Sequence, residues 1–100
     1  MNNLSKYLGF AIKSNSVIIG QDAIKKAKQR ILLIIVCASA TKNLMDLAIR
    51  YATVKKSKLI IVEDLSNISH IDNCKIMALT NENLKNAILQ QNNEYKIYEE

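Results

Sequence analysis

Apolar residues recur at helical spacing at the start of the chain, where Leu4, Tyr7, Leu8, Ala11 and Ile12 share one side and Ser5, Lys6 and Lys13 lie between them. The pattern predicts a helix over residues 2–13. Gly9 sits inside it at a cost of ~1 kcal/mol relative to alanine, which points to close packing against another element. Ser14, Asn15 and Ser16 form a turn signal, and Val17, Ile18 and Ile19 read as a brief strand running into Gly20.

From residue 21 to about 29 the apolar positions Ala23, Ile24 and Ala27 return to helical spacing, with Asp22, Lys25, Lys26 and Gln29 on the other sides. Residues 31–36, ILLIIV, do not alternate and are bounded by polar residues. They predict a central strand buried on both faces, which needs helices on both sides of the sheet. A small-residue loop, 37–40, leads to a helix over 41–54 that Ser39 or Thr41 can cap, with Leu44, Leu47, Ala48 and Tyr51 as its core stripe. Lys55 and Lys56 then suit its negative end.

Residues 58–62, KLIIV, predict a second buried strand, and Asp64 a helical turn within 63–68. A loop follows at 70–73, then a third long strand at 74–80 and a closing helix capped by Asn81 with Leu84, Ala87 and Ile88 inward. Beyond Gln91 the pattern is lost. The expectation is one domain over residues 1–91 and a polar, fraying tail over 92–100. Helices alternating with strands predict a three-layer α/β/α sandwich around a mixed sheet of about four strands.

One hundred residues suffice for a single core. Charge adds a functional hint: 14 Lys and Arg against 9 Asp and Glu give +5, and three of the acids, Glu94, Glu99 and Glu100, lie in the tail. Such a balance favours phosphate-bearing partners, nucleic acid among them, although a composition rich in lysine, isoleucine and asparagine also follows from genomic base bias. The basic run Lys25, Lys26, Lys28 and Arg30 follows Gly20, whose missing Cβ lets a partner come near the main chain; without such a partner the run is a solvated face, with Asp22 and Lys26 spaced as an ion pair. Lys55, Lys56 and Lys58 read as solubilising.

Enzyme chemistry finds no foothold in the pattern. His70 has no neighbouring cysteine or paired carboxylate, Glu63 and Asp64 are adjacent as at a helix start, and Gly20 lacks the companion glycines of a phosphate loop. Cys37 and Cys74 read as buried thiols of a reducing compartment. No metal site or cofactor is expected, and the longest apolar run, eight residues, is far short of a membrane span, so the expected location is cytoplasmic.

Two stretches, LGFAIKSNSVIIGQDAIKKA and LLIIVCASATKNL, with KLIIVED and KIMALTNENLKNAIL further on, resemble the ribosomal protein family L-seven-Ae and its L-thirty-e relatives, most closely the small bacterial YlxQ-like branch. The resemblance runs from about Leu8 to Leu89. It implies the L-thirty-e-like sandwich and a non-enzymatic RNA-binding protein of the ribosome or translation apparatus. The family's motif of glycine, any residue, asparagine, glutamate, two residues and lysine grips the sheared G·A pairs of a kink-turn in RNA. Here Gly20 matches the glycine and Lys26 the lysine, while Asp22 stands at the asparagine and Ala23 at the glutamate. Ala23 has no polar atom for a base edge, and Asp22 offers only acceptors.

The resemblance also implies RNA contacts from the loops 37–40 and 70–73. The expected RNA-binding set is therefore Lys13, Gly20, Gln21, Lys25 and Lys26 on phosphates, Asp22 and Ser39 nearer the bases, and Ile71 on an extruded base. Binding dominated by charge, with weak kink-turn discrimination, follows from the altered motif. Ala23 and Asp72 support an alternative, a protein-interaction module that kept the sandwich and lost specific RNA binding.

Overall fold

The computed structural model describes residues 3–98. The elements run α1 (Asn3–Lys13), β1 (Val17–Ile19), α2 (Gln21–Lys26), β2 (Leu33–Cys37), α3 (Lys42–Lys55), β3 (Lys58–Val62), α4 (Leu65–Ser69), β4 (Ile76–Leu79), α5 (Glu82–Leu89) and β5 (Lys96–Ile97). The predicted start of the first helix at Asn2 lies outside the described residues.

The strands form one mixed sheet in the order β1-β4-β2-β3-β5, with β2 and β3 parallel and the other neighbours antiparallel. The sheet has five strands, not four. All five residues of β2 are buried, as its unbroken apolar run requires of a strand covered on both faces. Successive side chains divide between two cores: Leu33, Ile35, Cys37, Ile60, Val62, Met77 and Leu79 pack with Leu4, Leu8 and Ala11 of α1, Leu65 of α4 and Ile88 of α5. On the other face Ile34, Val36, Leu59, Ile76 and Ala78 pack with Ile24 of α2 and with Ala48 and Ala52 of α3. The layers are α1, α4 and α5 on one side and α2 and α3 on the other.

The capping signals act where the sequence places them. Thr41, Asp64 and Asn81 each accept a backbone N–H three residues on, from Leu44, Asn67 and Leu84. Thr41 rather than Ser39 takes the first of these roles. Lys56 closes α3 in the left-handed conformation, its N–H donating to the carbonyls of Ala52 and Thr53.

Four expectations change. The helix after Gly20 ends at Lys26, with Ala27 already extended at φ −64°, ψ 133°. Ile31 explains this, because it is drawn into the core beside Ile24 and the chain unwinds to deliver it. The third strand is shorter than 74–80, covering only Ile76–Leu79. Gly9 marks no close approach, since a Cβ there would meet no heavy atom within 4 Å.

The last correction concerns the tail. Instead of fraying, Lys96 and Ile97 pair with Ile61 and Ile60, the Tyr98 N–H donates to the Leu59 carbonyl at 2.9 Å, and the Tyr95 hydroxyl donates to the Leu89 carbonyl. Ordered chain therefore continues past residue 91 as the sheet's fifth strand. Its two ladder residues cover an edge of β3 that would otherwise present unpaired backbone groups.

Candidate nucleic-acid interface

Strand directions bring the chemistry to one edge of the sheet. β1 and β2 both run antiparallel to β4, so their C-terminal ends meet its beginning. The Gly20 N–H donates to the Ile76 carbonyl at 3.2 Å, and the Cys37 N–H to the Lys75 carbonyl at 2.8 Å. Gly20, the loop after β2 and the segment before β4 are thereby held at one rim.

Gly20 has φ 91° and ψ 152°, a conformation that side-chain-bearing residues rarely adopt. No heavy atom lies within 4 Å of the place a Cβ would occupy. The main chain at this point is open on its side-chain side, and the residue is glycine for its backbone angles rather than for want of room.

That open backbone borders a cleft of about 730 Å³. Ile19, Gly20 and Gln21 form one wall, Thr41, Asn43, Leu44, Asp46, Leu47 and Arg50 of the α3 side another, and Asn73, Cys74, Lys75 and Ile76 the end. Arg50 and Lys75 bring two cations against the single carboxylate of Asp46. Helical spacing explains the α3 wall: Asn43, Leu47 and Arg50 recur at intervals of four and three beside the buried stripe of Ala48 and Ala52.

Lys75 is held in place. Its Nζ donates to Ser39 Oγ at 2.8 Å, and Ser39 Oγ lies 3.1 Å from Cys37 Sγ. The Cys37 thiol also lies 3.6 Å from the Glu63 carbonyl, and the Ala38 N–H donates to the Val62 carbonyl at 2.7 Å. Burial pushes the Cys37 thiol up, but hydrogen bonds from Ser39 and from the Leu65 and Ser39 backbone, with the Lys75 charge, outweigh it and hold the thiol below its usual range. At Cys74 burial dominates and the thiol is raised. Both thiols are free and buried, as expected.

The expected site residues divide. Gly20 and Gln21 line the cleft. Ser39 does not line it but fixes Lys75, which does. Asp22, Lys25 and Lys26 are exposed on α2 beside Gly20, and none lines the cleft. Lys13 belongs to the other helical layer, at the end of α1, and borders a separate groove. Ile71 is half-buried, packs against the core on the α1 side and does not line the cleft. From the same 70–73 loop the cleft takes Asn73, in the left-handed conformation at φ 58°.

Arg50, Asn43 and Lys75 escaped the sequence reading. Asn43 and Arg50 were a legible signal, each a polar position one residue before a core-stripe position, whereas Leu47, expected in that stripe, lines the cleft instead. Lys75 had none, because only the register of β4 against β2 sets it beside Ser39.

Together these features define an α/β sandwich with a moderately basic cleft at one rim of its sheet. No family model matches the chain, and no curated protein matches it in sequence. Among solved structures it is similar to one described as "The structure of a protein with unknown function from Bacillus halodurans C", with a TM-score of 0.79 at 11% identity over 94% of this chain and 100% of that one. At that identity the likeness is one of fold.

Proposed function

We propose that the protein is a non-enzymatic RNA-binding protein, ribosome- or translation-associated, whose rim cleft receives a phosphodiester backbone against Gly20. The observation that carries this reading is the bare main chain at Gly20 opening beside Arg50 and Lys75. A phosphate strand needs close approach and nearby cations, and the cleft offers both, with Lys75 held by Ser39. The net charge of +5 and the resemblance to the L-seven-Ae family support the same reading. Asp22 and Ala23 remove the base-reading groups of the family motif, so phosphate contacts dominate over recognition of a kink-turn.

Titration of labelled kink-turn RNA and of a plain duplex at several salt concentrations tests this. Comparable affinity for both is expected, falling steeply with salt, and Lys75→Gln is expected to flatten the salt slope by about one. Absence of binding to either RNA in low salt would overturn the proposal. The apolar residues Ile19, Leu44 and Leu47 and the carboxylate of Asp46 in the same cleft favour a second reading, a protein-interaction module. A partner captured after nuclease treatment in high salt, and lost on Arg50→Glu, would select it.

A further inference from the structure

The layer opposite the cleft carries its own groove, about 600 Å³ between α1 and α4. Lys6, Gly9, Phe10 and Lys13 of α1 face Ile68 and His70 across it, and no acid is among the residues that line it. Phe10 is 48% exposed, a large apolar ring left in solvent among cations. Nothing in the cleft at Gly20 uses it.

The arrangement is ordered rather than incidental. Lys6, Phe10 and Lys13 follow intervals of four and three, so they share one stripe of α1, with the lysines roughly 10 Å apart along the axis and the ring between them. Tyr7, itself packed on the core, stands against the Phe10 ring with centroids 6.4 Å apart and planes at 66°, which steadies the ring from one side. Gly9 adds no side chain to the groove wall it lines, and the space at its missing Cβ is open.

We propose that this groove binds an unpaired nucleotide of single-stranded nucleic acid, its base stacked on Phe10 and its flanking phosphates on Lys6 and Lys13. A base needs a flat apolar face with a cation on each side, and the stripe supplies that sequence in about two turns of helix. His70, exposed at the end of α4, adds a ring N–H donor at the rim. An acidic peptide would match the charges but leaves unused the flat face of the exposed Phe10 ring between the two lysines, which a stacked base covers. The site is physically separate from the Gly20 cleft and does not depend on the reading given to it.

The test uses the full chain carrying Arg50→Gln and Lys75→Gln, so that the rim cleft contributes little, and follows the anisotropy of labelled single-stranded oligonucleotides with and without bases. The base-bearing strand is expected to bind more tightly than the abasic one. Adding Phe10→Ala is expected to weaken the base-bearing strand about tenfold and to leave the abasic strand nearly unchanged, while Phe10→Tyr retains binding. Lys6→Gln with Lys13→Gln is expected to weaken both strands and flatten the salt slope. Melting curves confirm that each variant is folded.

Equal binding by Phe10→Ala and its parent, or no binding of either strand, would overturn the proposal. So would an oligoglutamate peptide that binds better than the strands and loses affinity on Phe10→Ala, which would assign the groove to an acidic protein partner.

Discussion

The two glycines occupy opposite situations, and each predicts its own substitution. Gly20 stands at φ 91°, where a side chain is strained, so Gly20→Ala is expected to lower unfolding free energy by about 1–3 kcal/mol although the space is open. Gly9 lies within a helix with open space around its missing Cβ, so Gly9→Ala is expected to raise stability by about 0.5–1 kcal/mol. Denaturant unfolding of both variants checks this, and the same sign for the two would refute the argument. Only Gly20 carries a consequence for binding at the rim cleft.

The two thiols also differ by environment. Cys37 is depressed, so its ionisation adds stability as pH rises through its lowered value toward the ordinary thiol range, and that increment is lost as pH falls through it again. Cys74 is raised, so its share is intact below the ordinary thiol value and is lost as pH climbs toward and through its own. In a Cys74→Ser protein the ultraviolet thiolate band is expected to appear at lower pH than for a free thiol, and Ser39→Ala is expected to move it upward. A band unchanged by Ser39→Ala would show that the Ser39 bond does not set it.

Among the elements, β5 is the one with the most to lose. It contributes two ladder residues, yet Tyr95 and Tyr98 anchor it to the two separate cores. Ending the chain at Gln91 is expected to cost roughly 2–4 kcal/mol from the lost aromatic burial and to bare the edge of β3, with self-association as a second result. Denaturant unfolding and size-exclusion chromatography read the two effects. Retained stability and a monomeric profile would mean that β5 is merely draped on the sheet.

The same scale shows where sequence reasoning holds. The run at 31–36 has no alternation, and β2 is buried on both faces; capping residues at 41, 64 and 81 start the helices they promise. α2 was less legible. Lysines are good helix formers, but burial of Ile31 draws the chain out of the helix after Lys26, an instance of packing overriding propensity. β5 had no readable pattern because two residues cannot show a period, and its order comes from an edge supplied by β3.

Taken as a whole, the molecule carries two separated basic surfaces, one on each helical layer, and the proposed RNA function can be probed at the two positions where its sequence differs from the motif it resembles. If the resemblance to the L-seven-Ae motif reflects function, introducing that motif's asparagine and glutamate with Asp22→Asn and Ala23→Glu is expected to raise the preference for a kink-turn over plain duplex by about tenfold. Both positions are exposed on α2, so folding should be preserved. Competition binding between the two RNAs measures the effect, and an unchanged ratio would count against the kink-turn geometry of the rim.

By itself the sequence determined the α/β class, the double-sided burial of the central strand, the helix starts and the basic balance, because period, capping and charge are local properties that each segment carries alone. The tertiary structure decided the fifth strand, the early end of α2, the partnership of Ser39 with Lys75, the packing of Ile71 against the core and the transfer of Lys13 to a different surface from Gly20. Those outcomes depend on which strand edge is vacant, which register two strands adopt and which layer a helix joins, and such choices are made between distant segments by burial and hydrogen-bond completion.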